Sequence, residues 1–378
     1  MSSSWAGPDA TGSARGAGRV VVVTGRAGAI PSALLRCAVL RLPDAQVRLL
    51  LHDERAGAGT VMVTSDAADE ALTRRVDLSS PGLAAHLQGA HIVIHVALGT
   101  DVEREQETSP AQRRAESVRF AQTVLTSAVA VGARHVVVIT SARVYGARPD
   151  NPVPLTAADA IRPSPDAGVA MDLVAVEDVV ARARTTYPGV RFVLVRPAPV
   201  VGEGTDTAVS RHFAAPRLLT IRDTEPLWQF IHVDDLATAV ATAIEGDLGP
   251  VVNVAAPGWL TQEEIETITG MRRIEVSRSI AVGTAQRLHQ LGLLRSPAAD
   301  LDFVAHPWVV DAEPLRAAGW APAHDNEDCL RILLEGVHAF SIGLPTVRKD
   351  AALGAASAAV AMVATAAIMR RRRRKGTP

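Results

Sequence analysis

The chain has 378 residues, 48% of them hydrophobic and 21% charged, which is enough to bury one large core or two modest ones. Net charge is −1, but six cations lie together at Arg370–Lys375, and the remainder carries 33 basic residues against 40 acidic ones, a sign that excludes a non-specific nucleic-acid binder. Cys37 and Cys329, the two cysteines, are too far apart in sequence for a disulfide framework or a zinc cluster and suit a reducing cytoplasm.

Residues 1–18 are small, polar and rich in Gly and Ser, with no basic stretch leading into an apolar run, so they read as a flexible leader rather than a signal peptide. Short apolar runs then predict strands at Arg19–Thr24, Val47–Leu51, His91–Val96, His135–Thr140 and Arg191–Val195. Helical patterns at 30–42, 110–131 and 168–185 alternate with them. That alternation predicts an α/β fold, a Rossmann-like doubly wound parallel sheet, over residues 19–198. After Pro197 the pattern loosens, with helices at 233–245 and 326–340. It predicts a smaller C-terminal α/β substrate lobe over 199–345, followed by an Ala-rich apolar tail and the basic cluster over 346–378.

The first strand runs into TGRAGAIP at residues 24–31. Gly25 and Gly28 stand where a tight turn brings backbone N–H groups against a pyrophosphate at a helix N-terminus. Pro31 replaces the third glycine usual there, and proline is accepted in a first helical turn because its missing N–H would be an orphan anyway. Past the second strand, Asp53 can accept from both ribose hydroxyls and would repel a 2′-phosphate, which favours NAD. A solvated loop acid is the other reading of Asp53, and Arg26 and Arg55 leave NADP open.

Eight motifs follow in order: TGRAG at 24–28, VDLSS at 76–80, GAHIVIHVA at 89–97, VVVITSARVYG at 136–146, VRFVLVRPAPVVG at 190–202, FIHVDDLATAV at 230–240, NVAAP at 253–257 and LRAAGWAP at 315–322. In this order they resemble the extended short-chain dehydrogenase/reductase superfamily, in its NAD-dependent epimerase/dehydratase group, from about residue 19 to 342. The resemblance implies a cofactor turn built by Thr24, Gly25, Arg26, Gly28 and Ile30. It implies Asp77 at the adenine amino group with the Leu78 backbone beside it, Ala97 lining the groove, and Pro197 near the nicotinamide. Ser141 would hydrogen-bond the reacting carbonyl or hydroxyl, although many serines at strand ends only cap a turn. Tyr145 would be a pocket wall, and His232 to Asp235 a structural junction. His91 and His95 alternate on one strand with no carboxylate or cysteine at ligand spacing, so no metal is expected there.

Active members of this family carry a tyrosine and, four residues later, a lysine whose charge lowers the phenol pKa for proton exchange with substrate. In GVAMDLVAVE, residues 168–177, Glu177 marks the register, and the two places hold Val169 and Leu173. No register shift restores the pair, because the tyrosines are Tyr145 and Tyr187 and the lysines Lys349 and Lys375. Asp172 lies on the same helix face as Val169, so it is either a substitute acid–base group or an ordinary helix contact. Nucleotide-sugar enzymes of this group often hold the diphosphate with an arginine just ahead of the HVDD strand. Here Trp228 stands at about that place, with Arg211, Arg217 and Arg222 near enough in sequence to compensate.

Residues 351–369 carry no charge, and as a helix they would reach about 28 Å. Three readings stay open: a single span, a helix on an anionic membrane surface held by the basic cluster through 351–375, and an Ala-rich tail off the membrane. The expected location is the cytoplasm, with attachment to the inner membrane face under the second reading. The function expected is a divergent NAD(P)-binding enzyme acting on a nucleotide sugar or other hydroxy or keto substrate. The alternative is a non-catalytic dinucleotide-binding regulator or scaffold. Dinucleotide and small molecule are the expected partners, and the oligomeric state is open.

Overall fold

A computed structural model describes residues 19–41, 45–53, 71–99, 108–294, 296–343 and 356–375. The leader 1–18, Arg55 and Lys349 lie outside them. Valine- and isoleucine-rich runs form β1 (Val20–Gly25), β4 (Ile92–Val96), β5 (His135–Ile139) and β6 (Arg191–Pro197), and β2 (Gln46–His52) is leucine-rich. These strands, with β3 (Ala71–Val76) and β11 (Val251–Val254), make one sheet in the order β11-β6-β5-β4-β1-β2-β3. Every pairing in it is parallel. Both faces are covered, which is why the central strands read as unbroken apolar runs rather than as alternation.

One face packs on α1 (Ala29–Arg41) and α6 (Val233–Glu245), through Ile30, Leu34, Leu236 and Val240. The other packs on the short α2 (Leu83–His86), α3 (Pro110–Ala130) and α4 (Gly168–Thr186), through Phe120, Val124, Val176 and Val180. A capping box fixes the start of α3: Ser109 accepts from Gln112 N–H while the Gln112 side chain reaches back, and Pro110 follows directly. The start of α4 has no side-chain cap.

The strand order reverses between β1 and β4, and in open parallel sheets that switch point, at the carboxyl ends, is where ligands bind. The sheet does not stop at residue 198. β11 pairs with β6, and α6 covers the face beside it, so chain from the second half completes the first core. Strand β3 reads ALTRRV and was not among the sequence-predicted strands. At a sheet edge it pairs on one side only and carries two arginines, so it has no apolar run to detect.

A second core forms around β8 (Leu218–Ile221) and β13 (Arg273–Val276), which pair in parallel. The short strands β7 (Val200–Val201) and β10 (Ile231–His232) pair with each other, as do β9 (Leu227–Trp228) and β12 (Leu260–Thr261). The helices of this part are α5 (Ala208–Ala214), α7 (Gln262–Thr269) and α8 (Arg278–Gln290), then, after α9 (Glu313–Ala317), which buries Leu315 in the first core, α10 (Asn326–Gly343) and α11 (Ala356–Lys375).

The described part of the Ala-rich tail docks on the second core. Ala356, Ala358, Ala359, Val360 and Ala361 of α11 are buried in the second core with Leu218, Ile221 and Leu301. Small alanines let this helix approach closely, and its apolar character is spent on a protein surface. Among the described residues no helix is long and apolar enough to cross a membrane, and the packing of α11 leaves attachment through 351–375 without support.

Candidate functional site

A Cβ on Gly25 would stand 3.0 Å from Val96 Cβ and 3.1 Å from the Val96 carbonyl oxygen, so only glycine allows β1 and β4 to run this close. Helix α1 starts at Ala29 with no acidic residue in its first turn, leaving its positive end unneutralised. Gly28, Arg26, Asp53, Asp77 and Ala97 are partly exposed at or just past the carboxyl ends of β1, β2, β3 and β4. These five are the predicted cofactor residues that the fold leaves able to meet a ligand.

The others are turned inward. Thr24 is fully buried, with its hydroxyl 3.0 Å from His95 Nδ1. Ile30 belongs to the core under α1, and Leu78 to the core on the opposite face. Pro197 is buried as the last residue of β6. The Leu78 N–H, expected beside an adenine, donates instead to His52 Nδ1 at 3.3 Å. His52 is buried and packs on Phe120 with ring centroids 4.2 Å apart. Asp77 stays available on one oxygen, because both bonds from Ser79 go to Oδ1. Burial works against its ionisation, but those hydrogen bonds, with His52 and Arg119 nearby, hold its carboxyl below the ordinary range. Asp53 is 3.4 Å from Arg75, and Arg26 pairs with Glu116 and lies over the Phe120 ring at 5.2 Å.

A cavity of about 790 Å³ opens beside this edge, between the sheet and the second core. Leu98, Gly99, Ala198 and Val169 line it from the sheet side, and Gln286, His289 and Trp308 from the other. Val169, at the expected tyrosine position, is a bare wall residue. Leu173, at the lysine position, is 2% exposed and packs with Val144, Ala198 and Trp308. The vacated pair is therefore filled with apolar side chains.

Glu177, the register mark, is committed elsewhere. Its carboxylate accepts from Arg196 at 2.6 and 3.0 Å and from Thr140 at 2.7 Å. Arg196 also donates to the Tyr145 hydroxyl, which in turn donates to Asn253 Oδ1, both at 2.8 Å. Tyr145 is fully buried, and that burial raises its phenol pKa despite Arg196 beside it. It belongs to a closed polar network rather than to the cavity wall expected of it.

Neither predicted acid–base group faces the cavity. Ser141 is 4% exposed and accepts from the Arg143 N–H as the cap of the turn Ala142–Tyr145. Asp172 is buried, and its two oxygens accept from Arg113 Nε at 2.6 Å and Arg114 Nε at 3.0 Å. A carboxylate held by two guanidinium groups positions those arginines, and both of them line the cavity. The arginines suggested as diphosphate ligands are elsewhere: Arg211 is buried against Asp206, and neither Arg217 nor Arg222 is among the lining residues.

The charged lining comes from residues that sequence reasoning passed over. Arg143 pairs with Asp300 at 3.1 Å, and Arg278 with Asp302 at 2.6 Å. Arg143 sits inside a quoted motif, two places after Ser141, and was the one detectable signal. Asp300 lies in a short 3-10 helix, Ala298–Val304, with no motif to mark it.

At the junction expected around residues 232–235, Asp235 accepts from the backbone N–H of Ala323 and His324 and lies 2.8 Å from His324 Nδ1. His232, Asp235 and His324 bring ligand-type atoms within 4.8 Å of one another, but Asp235 is already shared among those donors.

A model of the NAD dependent epimerase/dehydratase family matches residues 21–255. An uncharacterized protein of Mycobacterium tuberculosis is 26% identical over 188 residues, 49% of this chain and 50% of that one. The chain thus spans about half the length of the curated relatives it matches. Among solved structures, the UDP-glucuronic acid 4-epimerase of Bacillus cereus in complex with NAD aligns with TM-score 0.61 and 14% identity, covering 85% of this chain and 99% of its own. A dTDP-glucose 4,6-dehydratase of Streptomyces venezuelae with NAD bound aligns with TM-score 0.62 and 19% identity, covering 86% and 98%. At these identities the likeness is one of fold.

Proposed function

The chain belongs to the NAD-dependent epimerase/dehydratase family, and on that premise we propose that it binds NAD and acts on a nucleotide sugar or a related hydroxy or keto compound without the tyrosine–lysine pair. The observation that carries the reading is the cavity of about 790 Å³ at the carboxyl edge of the sheet, lined by four arginines and several carboxylates. That volume is in the range of small-molecule sites. The non-catalytic alternative draws on the apolar filling of the tyrosine and lysine positions.

The residues present fit the cofactor. Gly28 and the start of α1, whose first turn holds no acidic residue, suit a pyrophosphate, Asp53 the ribose hydroxyls and Asp77 an adenine amino group. Asp53 favours NAD over NADP. Bound there, a nicotinamide dinucleotide supplies reversible hydride acceptance. The chain's own part is to bind and orient: Ala97 and Leu98, whose N–H groups are tied to Ile139 O, give the groove a rigid floor. Asp172 fixes Arg113 and Arg114 toward the cavity, where they suit an anionic group on the substrate.

Calorimetric titration with NAD⁺, NADH, NADP⁺ and NADPH tests the first half. The expected result is binding of the NAD forms, with Asp53→Ser narrowing the preference. No binding by any of the four removes the reading. Absorbance at the nicotinamide band with UDP- and dTDP-hexoses tests the second half.

A further inference from the structure

The cavity that Val169 lines, at the position of the missing phenol, is also lined by a part-buried ion pair, Arg143 with Asp300. Gly168 opens α4 immediately before Val169, and a Cβ on Gly168 would stand 3.3 Å from Pro297 Cδ and 3.9 Å from an Arg113 nitrogen. The turn that begins at Ala298 is therefore docked against the very start of the helix that carries the acid–base pair in active relatives. Asp300 projects from that turn into the cavity wall, with its side chain 13% exposed. Arg143 meets it at 3.1 Å from the turn that Ser141 caps. The Arg143 guanidinium also lies over the Phe303 ring at 4.3 Å, which fixes its plane.

Resting on the reading that this cavity performs oxidoreduction with a nicotinamide dinucleotide, the geometry points to Asp300 as the proton-exchanging group of the site, with Arg143 as its charge partner in the role that a lysine plays for tyrosine. In the oxidising direction the O–H bond of a bound carbinol breaks and its proton bonds to an Asp300 oxygen. The carbinol carbon becomes a carbonyl as its hydride passes to the dinucleotide, which is reduced. The reverse step returns both.

The surroundings suit a carboxyl that must both take and release a proton. Burial raises the pKa of Asp300, Arg143 and Arg113 oppose that, and the neighbouring Asp302 adds to it. Asp302 is itself tied to Arg278 of α8 at 2.6 Å, so its negative charge is partly offset. Asp172 differs in both respects: it carries two cations on its own oxygens and is not among the cavity-lining residues.

The test uses full-length protein with NAD⁺ and a panel of UDP-glucose, UDP-galactose, UDP-glucuronic acid and dTDP-glucose, together with a readout that needs no substrate. Difference infrared spectroscopy of wild type against Asp300→Asn should reveal a carboxyl that protonates above the ordinary carboxylate range. A carboxyl ionised throughout that range overturns the assignment. In the absorbance assay Asp300→Asn should lose about 100-fold or more in kcat. KM and NAD⁺ binding should hold, and Asp300→Glu should recover part of the rate. Arg143→Met should shift the acidic limb of the rate profile upward, which a merely structural ion pair would not do. Turnover in wild type that survives in Asp300→Asn overturns Asp300 alone. Absence of turnover in wild type with every sugar overturns the oxidoreduction reading and this assignment together, whereas NAD⁺ binding still reports separately on the cofactor site.

Discussion

Single residues carry charge in this protein in two distinct ways. Glu177 and Arg196 are a buried pair, each oxygen of the acid satisfied, and they hold β6, α4 and the turn at Tyr145 in one network. Glu177→Ala leaves Arg196 buried and unpaired, and the expected cost is about 3–5 kcal/mol. Denaturant unfolding of the variant measures it, and a change under 1 kcal/mol would speak against the network. Histidines act in the opposite sense. Burial lowers the pKa of His95 and of His212 from 6.5 to about 4. Above pH 6.5 both are neutral in folded and unfolded chain alike, and full stability is present. Below it the unfolded chain takes up protons that the folded one refuses, so stability is lost as pH falls toward 4, at about 1.4 kcal/mol per pH unit for each histidine. Neither ring nitrogen of His212 has a hydrogen-bond partner, and its ring packs against both Phe213 and Trp228. His212→Phe should therefore flatten that acid slope by one proton's worth, which urea melts at pH 7 and pH 5 would read.

Among the elements, α1 and α11 show how far local pattern reaches. The turn into α1 was legible because a close strand approach and a helix N-terminus both demand particular residues there. Gly25→Ala places a methyl 3.0 Å from Val96 Cβ, and overpacking of this kind costs about 1–3 kcal/mol. Thermal unfolding should show the loss, and NAD affinity should fall with it because the turn must shift. Helix α11 was legible as an apolar segment but not as a docked one, since apolar alanines suit a lipid surface and a protein groove about equally. Its buried residues pack in the second core, so truncation after residue 345 should lower the melting temperature. An unchanged melting temperature would mean that the docking contributes nothing to folding. The start of α4 shows the same limit. Register arithmetic located Val169 and Leu173, but only packing revealed that one faces the cavity and the other the core.

For the whole molecule, the parallel sheet and the two cores it joins follow from burial on both faces, and ligand binding at the switch point should stabilise the assembly. At NAD⁺ 100-fold above its dissociation constant the gain is about 2.7 kcal/mol, readable as a rise in melting temperature that the 2′-phosphorylated dinucleotide should not match. The amino-acid sequence alone determined five of the seven strands of the sheet, the glycine turn, the order of family motifs and the absence of the tyrosine–lysine pair. Each of these rests on short-range spacing or on residue counts, which folding cannot alter. The tertiary structure alone decided that Asp172 and Ser141 turn away from the cavity, that α11 lies on protein, and that Asp300 meets Arg143 across 157 positions of chain. Those outcomes depend on contacts between segments far apart in sequence. No local periodicity encodes which face of one segment will close on another.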